Sequence, residues 1–108
     1  MNMTKSGRRY NFGNVIIAGV QFVDTFEVKK RPALVLFEEY DNIVCAVITS
    51  NPKMKGISVT KKEGMSVDSV IKLNYIFTIS EKMIERVLLS ISKEKREEVK
   101  REFIKKLN

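Results

Sequence analysis

Lys29-Lys30-Arg31-Pro32-Ala33-Leu34-Val35-Leu36-Phe37 and Ile43-Val44-Cys45-Ala46-Val47-Ile48-Thr49-Ser50-Asn51 are the two stretches on which the fold turns. Each is an apolar run rich in β-branched residues, and the polar segment from Glu38 to Asn42 ties one to the other. That pattern predicts an antiparallel hairpin. In such a hairpin the start of the first strand lies beside the end of the second, which sets Arg31 next to Thr49, Ser50 and Asn51. A guanidinium beside uncharged hydrogen-bonding side chains suits a phosphate better than a packed core.

Upstream of the hairpin, Asn14 to Val23 reads as a first strand and Asp24 to Lys30 as a loop of mixed charge. Residues 1–11 are polar and basic and read as a flexible arm; residues 12–108 read as a single domain. Downstream, Asn51 to Gly56 is a turn with Pro52 near one end and Gly56 at the other. Ile57 to Thr60 alternates as a short half-exposed strand should, and Lys61 to Gly64 is a charged turn. Ser69 to Leu73 and Tyr75 to Ile79 read as strand segments joined or bent at Asn74. Glu81 to Ile84 fits a helical turn, and Val87 to Ile91 a last strand.

Ser92 then caps a helix whose acids (Glu94, Glu97, Glu98) precede its bases (Lys100, Arg101, Lys105, Lys106), as the helix dipole favours. Val99, Phe103 and Leu107 make one apolar stripe for docking, so the charge run is mostly a solvated face. Five to seven short strands and a C-terminal helix predict a mainly β, α+β chain curled into a small SH3-like β-barrel. Barrel closure or dimerisation protects the strand edges.

Composition narrows the chemistry. Twenty Lys and Arg against thirteen Asp and Glu give a net charge of +7, which attracts polyanions or marks a lysine-rich surface. The absence of histidine excludes Ser-His-Asp and Cys-His triads and any ribonuclease built on a histidine acid–base pair. With Cys45 the lone cysteine, no metal site and no cofactor are expected, and Cys45 reads as a small buried thiol. Lys5, Arg8 and Arg9 before Val15 to Val20 imitate a secretory signal, but Gln21 interrupts the run and no small-residue cleavage site follows. A first strand, no membrane segment and a cytoplasmic location are the expectation.

Five pieces in series carry a resemblance. Phe12-Gly13-Asn14-Val15, Arg31 to Leu36, Ala46 to Ser50, Asp68 to Leu73 and Ile76 to Ile79 together resemble the MazF/PemK toxin family, and Leu88 to Ser92 before the helix is similar too. The resemblance spans about residues 12–107 and implies a homodimeric, metal-independent endoribonuclease, the toxin of a type II toxin–antitoxin pair. It implies cleavage of single-stranded RNA through attack by the ribose 2′-hydroxyl, and a cognate antitoxin as partner. The family's catalytic arginine falls on Arg31 and its threonine on Thr49; an acidic residue of the preceding loop falls near Glu27. A position where some members carry a working arginine falls on Lys72. Departures stand at Asn14 and Asn74, where the family usually has Asp, and at Phe77, where it has Arg.

Arg31, Thr49 and Glu27 are therefore the catalytic candidates. Lys29, Lys30, Ser50, Asn51, Lys53, Lys72, Asn74 and Phe77 are the RNA-binding candidates. Plainer roles stand beside them: Arg31 as a surface cation, Thr49 as a strand-end cap, Lys72 as a solvent-facing strand residue, Asn74 as a bend, Phe77 as core. Tyr10, Phe12 and Phe26 join Phe77 as aromatics able to stack on bases, whereas Phe22 and Phe37 read as core. Arginine stays protonated, so Arg31 serves first as an electrostatic stabiliser. The three departures motivate alternatives: a barrel that binds RNA or a protein partner without cutting, or a toxin of the same scaffold that inhibits a topoisomerase.

Overall fold

Unbroken apolar runs, unlike alternating ones, suit strands that are covered on both faces. The computed structural model describes residues 9–21 and 28–108 and shows this arrangement. Its elements are β1 (Asn14–Gln21), β2 (Val28–Glu39), β3 (Asn42–Thr49), β4 (Ile57–Val59), β5 (Ser69–Ser80), β6 (Ile84–Ser90) and α1 (Lys93–Leu107). They form one antiparallel six-stranded sheet in the order β4-β5-β3-β2-β1-β6, curled into a half-barrel. The expected mainly β chain with a C-terminal helix is the fold observed.

Consecutive residues Ala33, Leu34 and Val35 are all fully buried, as are Cys45 and Ala46, because each strand feeds two cores. Val15, Leu34, Ala46, Ile48 and Ile71 fill the first core, which α1 closes through Val99 with Phe103 beside it. Ile16, Ala18, Ala33, Val35, Ile43 and Cys45 fill the second, packed by Tyr10, Phe77, Ile79 and Ile84. Each such fully buried Val, Leu or Ile contributes about 1.5–3 kcal/mol relative to exposure. The helix starts where Ser92 Oγ accepts from the Lys95 N–H at 3.1 Å. It is tied to the sheet by Lys95 Nζ, which donates to the Ser58 carbonyl and lies 3.5 Å from Glu63 Oε2.

Several local expectations change. Val28 to Lys30 belong to β2 instead of a loop, because they pair with Gln21 to Gly19. Tyr10 is no free arm: it packs on the second core, and its N–H donates to Glu38 Oε1 at 3.0 Å. Residues 1–8, where the rest of that arm was placed, and Phe22 and Phe26 lie outside the described residues. Phe37, expected in the core, is 47% exposed; a register shift between Val35 and Phe37 sends it outward. The hairpin closes with Tyr40 and Asp41 at φ 51° and 66°, a two-residue turn of the type usually filled by Asn-Gly. No helix among the described residues is long and apolar enough to cross a membrane.

Candidate functional site

β2 and β3 pair antiparallel with Ala33 opposite Val47, and continuing that register by two residues sets Arg31 opposite Thr49. The ladder stops at Ala33 because Pro32 has no N–H to give it. Beyond this point the two chains part, and a cleft of about 760 Å³ opens between the strand ends. Arg31, Thr49, Ser50 and Asn51 form its polar side, and Val67, Tyr75, Ile76 and Phe77 its apolar side. Among the described residues that line it, Arg31 is the one charged side chain.

The polar side is organised by local hydrogen bonds. The Asn51 N–H donates to Thr49 Oγ1 at 3.2 Å, so this oxygen acts as an acceptor and its own O–H proton remains to be donated. The Lys53 N–H donates to Asn51 Oδ1 at 3.0 Å, which fixes the amide and directs its NH₂ away from the turn. Arg31 is exposed, and among the described residues its guanidinium makes one hydrogen bond, Nη1 donating to the Lys30 carbonyl at 3.4 Å. A loosely held guanidinium and an oriented hydroxyl form an anion site with one positive charge and neutral donors.

The far wall is made by the loop from Met65 to Ser69. Glu63 Oε1 accepts from the Thr60 N–H at 3.0 Å, and Asp68 Oδ1 accepts from the Lys61 N–H at 2.9 Å, closing that loop on itself. Ser69 Oγ donates to the Val67 carbonyl at 3.0 Å. Gly64, at φ 117° over Leu89, provides the sharp exit a side chain would resist.

The residues singled out from sequence are thus divided. Arg31, Thr49, Ser50, Asn51 and Phe77 share the cleft. Lys72 and Asn74 line a separate, shallower concavity of about 350 Å³ against α1, where Lys72 Nζ donates to the Lys55 carbonyl. Lys30 turns to β6 and bonds Glu85; this hydrogen bond, with the ammonium's charge, holds the Glu85 carboxyl below its ordinary range. Lys29 and Lys53 are exposed and line neither concavity. Glu27 lies outside the described residues. Phe77 is both half-buried against the second core and part of the cleft wall, so the choice between core and surface was a false one. Sequence reasoning missed Tyr75 as part of the site, whereas the loop near 61–67, whose shape was expected to bear on base choice, does reach the cleft through Met65, Ser66 and Val67.

Among the described residues, Glu38, Asp41 and Glu81 bring three carboxylates within 4.8 Å of one another at the other end of the hairpin. Glu81 Oε1 faces Arg9 at 3.4 Å and Glu38 Oε1 takes the Tyr10 N–H, which gives this cluster a role in tying down the N-terminal segment.

Comparison with known proteins places the chain. The sequence model of the family described as "PemK-like, MazF-like toxin of type II toxin-antitoxin system" matches residues 11–107. No curated protein sequence gives a significant match. Among solved structures, the chain is similar to Mycobacterium tuberculosis toxin MazF-mt6, at 23% identity over 86% of this chain and 93% of that one, with a TM-score of 0.69. It is similar also to MazE-MazF (Form-II) from Deinococcus radiodurans, at 17% identity over 94% of this chain and 97% of that one, TM-score 0.72. An endoribonuclease in complex with its cognate antitoxin from Mycobacterial species matches at 12% identity over 91% and 94%, TM-score 0.68. At these identities the structures speak for the fold.

Proposed function

We propose, since this chain belongs to the PemK-like, MazF-like toxin family, that it is a metal-independent, sequence-selective endoribonuclease. In this reading it is the toxin of a type II toxin–antitoxin pair and cuts single-stranded RNA. The observation that carries the reading is the meeting of Arg31 and Thr49 at the mouth of one cleft, with a phosphate's worth of donors and no competing charge among the described lining residues.

In the reaction, the 2′-oxygen bonds to phosphorus, the bond from phosphorus to the 5′-oxygen breaks, and a 2′,3′-cyclic phosphate and a free 5′-hydroxyl result. The phosphorane between them carries extra negative charge on its non-bridging oxygens. Arg31 grips two of these in a fork and Thr49 donates its O–H to one of them. The guanidinium supplies the positive charge at the phosphate. The 2′-proton must go to a base, for which Glu27 is the assigned carboxylate, and the 5′-oxygen must gain one from Arg31 or water. Lys29, Lys30 and Lys53, all exposed, are assigned to the RNA backbone, as are Lys72 and Asn74 in the second concavity. A second copy of the chain and a cognate antitoxin complete the set of partners, and the cytoplasm is the compartment in which it would meet its RNA.

One observation favours a second reading, a barrel that binds RNA or a protein without cutting it: no carboxylate lines the cleft among the described residues. The test is incubation of pure protein with long single-stranded RNA in EDTA, followed by end analysis. New 5′-hydroxyl ends support the nuclease. Salt-sensitive binding that leaves every RNA whole supports the second reading.

A further inference from the structure

β5 does not pair evenly with β3. Ile76 lies opposite Ala46, yet the next residue of β3, Val47, lies opposite Lys72, so Leu73, Asn74 and Tyr75 are looped out between two paired positions. Such bulges bend a strand and re-aim side chains. The three residues go three ways. Leu73 is 5% exposed and anchors the bulge in the first core, Asn74 faces the second concavity, and Tyr75 is thrown into the cleft of Arg31 and Thr49 with 51% of its surface open.

A site for phosphate alone needs only the polar side of this cleft. Tyr75 adds a large flat ring to a lining that includes half-open Val67 and Ile76; Ile76 lies opposite Ala46, three residues along β3 from Thr49. A rigid aromatic is a poor partner for the phosphate that Arg31 attracts and a good one for the planar base that a nucleotide carries beside it. The Asn51 amide, whose oxygen accepts from the Lys53 N–H, lines the same cleft.

We propose that Tyr75, presented by the 73–75 bulge, is the stacking platform for the unpaired nucleobase next to the phosphate held at Arg31. Tyr75 is thereby a substrate-positioning and specificity-determining residue. This rests on the ribonuclease reading. The net charge of +7 favours RNA over an apolar protein segment as the occupant, and stacking gives the exposed ring that Tyr75 adds to a wall otherwise shared by Val67, Ile76 and Phe77 a planar partner.

The test compares wild type, Tyr75→Ala and Tyr75→Phe on two probes. The first is a random-sequence single-stranded RNA pool cut in EDTA, with cleavage ends sequenced. The second is a 12-nucleotide pool fully 2′-O-methylated, which cannot be cut by its own 2′-hydroxyl, for equilibrium binding. Loss of one stacked base predicts a 5- to 150-fold weaker binding and kcat/KM for Tyr75→Ala, by order of magnitude. Base preference should flatten at one position beside the cut. Tyr75→Phe keeps the ring and should stay within about threefold on both probes. Wild-type affinity and wild-type base preference in Tyr75→Ala would overturn the proposal, as would equal damage from Tyr75→Phe. If the wild type cuts nothing, the nuclease reading fails by itself, and the binding pool still decides the platform: affinity lost in Tyr75→Ala and kept in Tyr75→Phe supports it, and no RNA affinity, or no difference, overturns it.

Discussion

Replacing Arg31 separates a role in chemistry from a role in the fold. The side chain is exposed and its one hydrogen bond among the described residues is a 3.4 Å contact with the Lys30 carbonyl. Nothing packed is lost in Arg31→Ala, so stability should change by no more than about 0.5 kcal/mol. With a urea slope of about 1–3 kcal/mol per molar, the denaturation midpoint should move by less than about 0.5 M. Activity should behave differently. Two charge-assisted bonds to the phosphorane, at about 1.5–3 kcal/mol each, amount to roughly 3–6 kcal/mol. That is a loss of about 10² to 10⁴ in kcat/KM. Arg31→Lys keeps the charge and gives up the fork, so it should lose about half of that free energy, roughly 10- to 150-fold. The assay is initial-rate cleavage of one single-stranded RNA in EDTA, run beside urea melts of the same preparations. Refutation would come from Arg31→Ala cutting within threefold of wild type, or from a midpoint shift large enough to explain the loss. Full activity in Arg31→Lys would refute the fork alone.

Three further outcomes are expected. Thr49→Val keeps the shape and removes the donor, so kcat should fall about 10²- to 10³-fold, whereas Thr49→Ser should recover to within about tenfold; equal rates in Val and Ser would reduce Thr49 to the cap that the Asn51 N–H makes it. Tyr40, 89% exposed at φ 51°, holds an unfavourable backbone for a bulky residue, and Tyr40→Asn should stabilise the protein by about 0.5–1 kcal/mol, read as a higher thermal midpoint. Burial pushes the Cys45 thiol up to about 12, so a thiol-reactive disulfide reagent at pH 8 should label only unfolded protein. Because the folded state holds that proton longer, this residue's contribution to stability is intact below pH 9 and is lost as pH rises from about 9 toward 12.

The hairpin was legible because two β-branched apolar runs flank one short polar connection, and their lack of alternation matches strands buried on both faces. The helix was legible from Ser92 and from Val99 and Phe103, although Leu107, the last of the stripe, is 74% exposed among the described residues. Register across β3 and β5 was not legible. Three extra residues in one strand leave no compositional mark, and Asn74 as a bend was the single local hint. The shift nevertheless decides which side chains face Arg31: without it Tyr75 is one more strand residue, and Lys72 seems a neighbour of the site. The loop from Met65 to Ser69 could be read as a loop that bears on base choice, but its place across from Arg31 could not, for a related reason. Its position is tied to distant parts of the chain, as in the ion pair of Lys95 with Glu63 just before the loop, which periodicity cannot encode.

The positions at which this chain departs from its family's pattern gain meaning from their places. Asn14 sits at the entrance of β1, where its Oδ1 accepts from the Asn11 N–H at 2.8 Å and its Nδ2 donates to Ser90 Oγ at 2.9 Å. The first of these is a turn acceptor's task, which Asn fills as well as Asp does. Asn74 faces the second concavity, away from Arg31. Neither exchange removes a group from the cleft. Phe77 does lie there, but it extends the wall that Tyr75 begins and leaves Arg31 as the one cation among the described lining residues. A general base contributes about 10²- to 10⁴-fold, or roughly 3–5 kcal/mol. The 2′-hydroxyl is already tethered to the phosphate it attacks, so the site's contribution comes mainly from aimed donors, each worth about 3–4 kcal/mol. On the ribonuclease reading, the Arg31 cation and the Thr49 hydroxyl together would therefore contribute more than the single general base, and a carboxylate supplied from outside the described wall would have the smaller share to add.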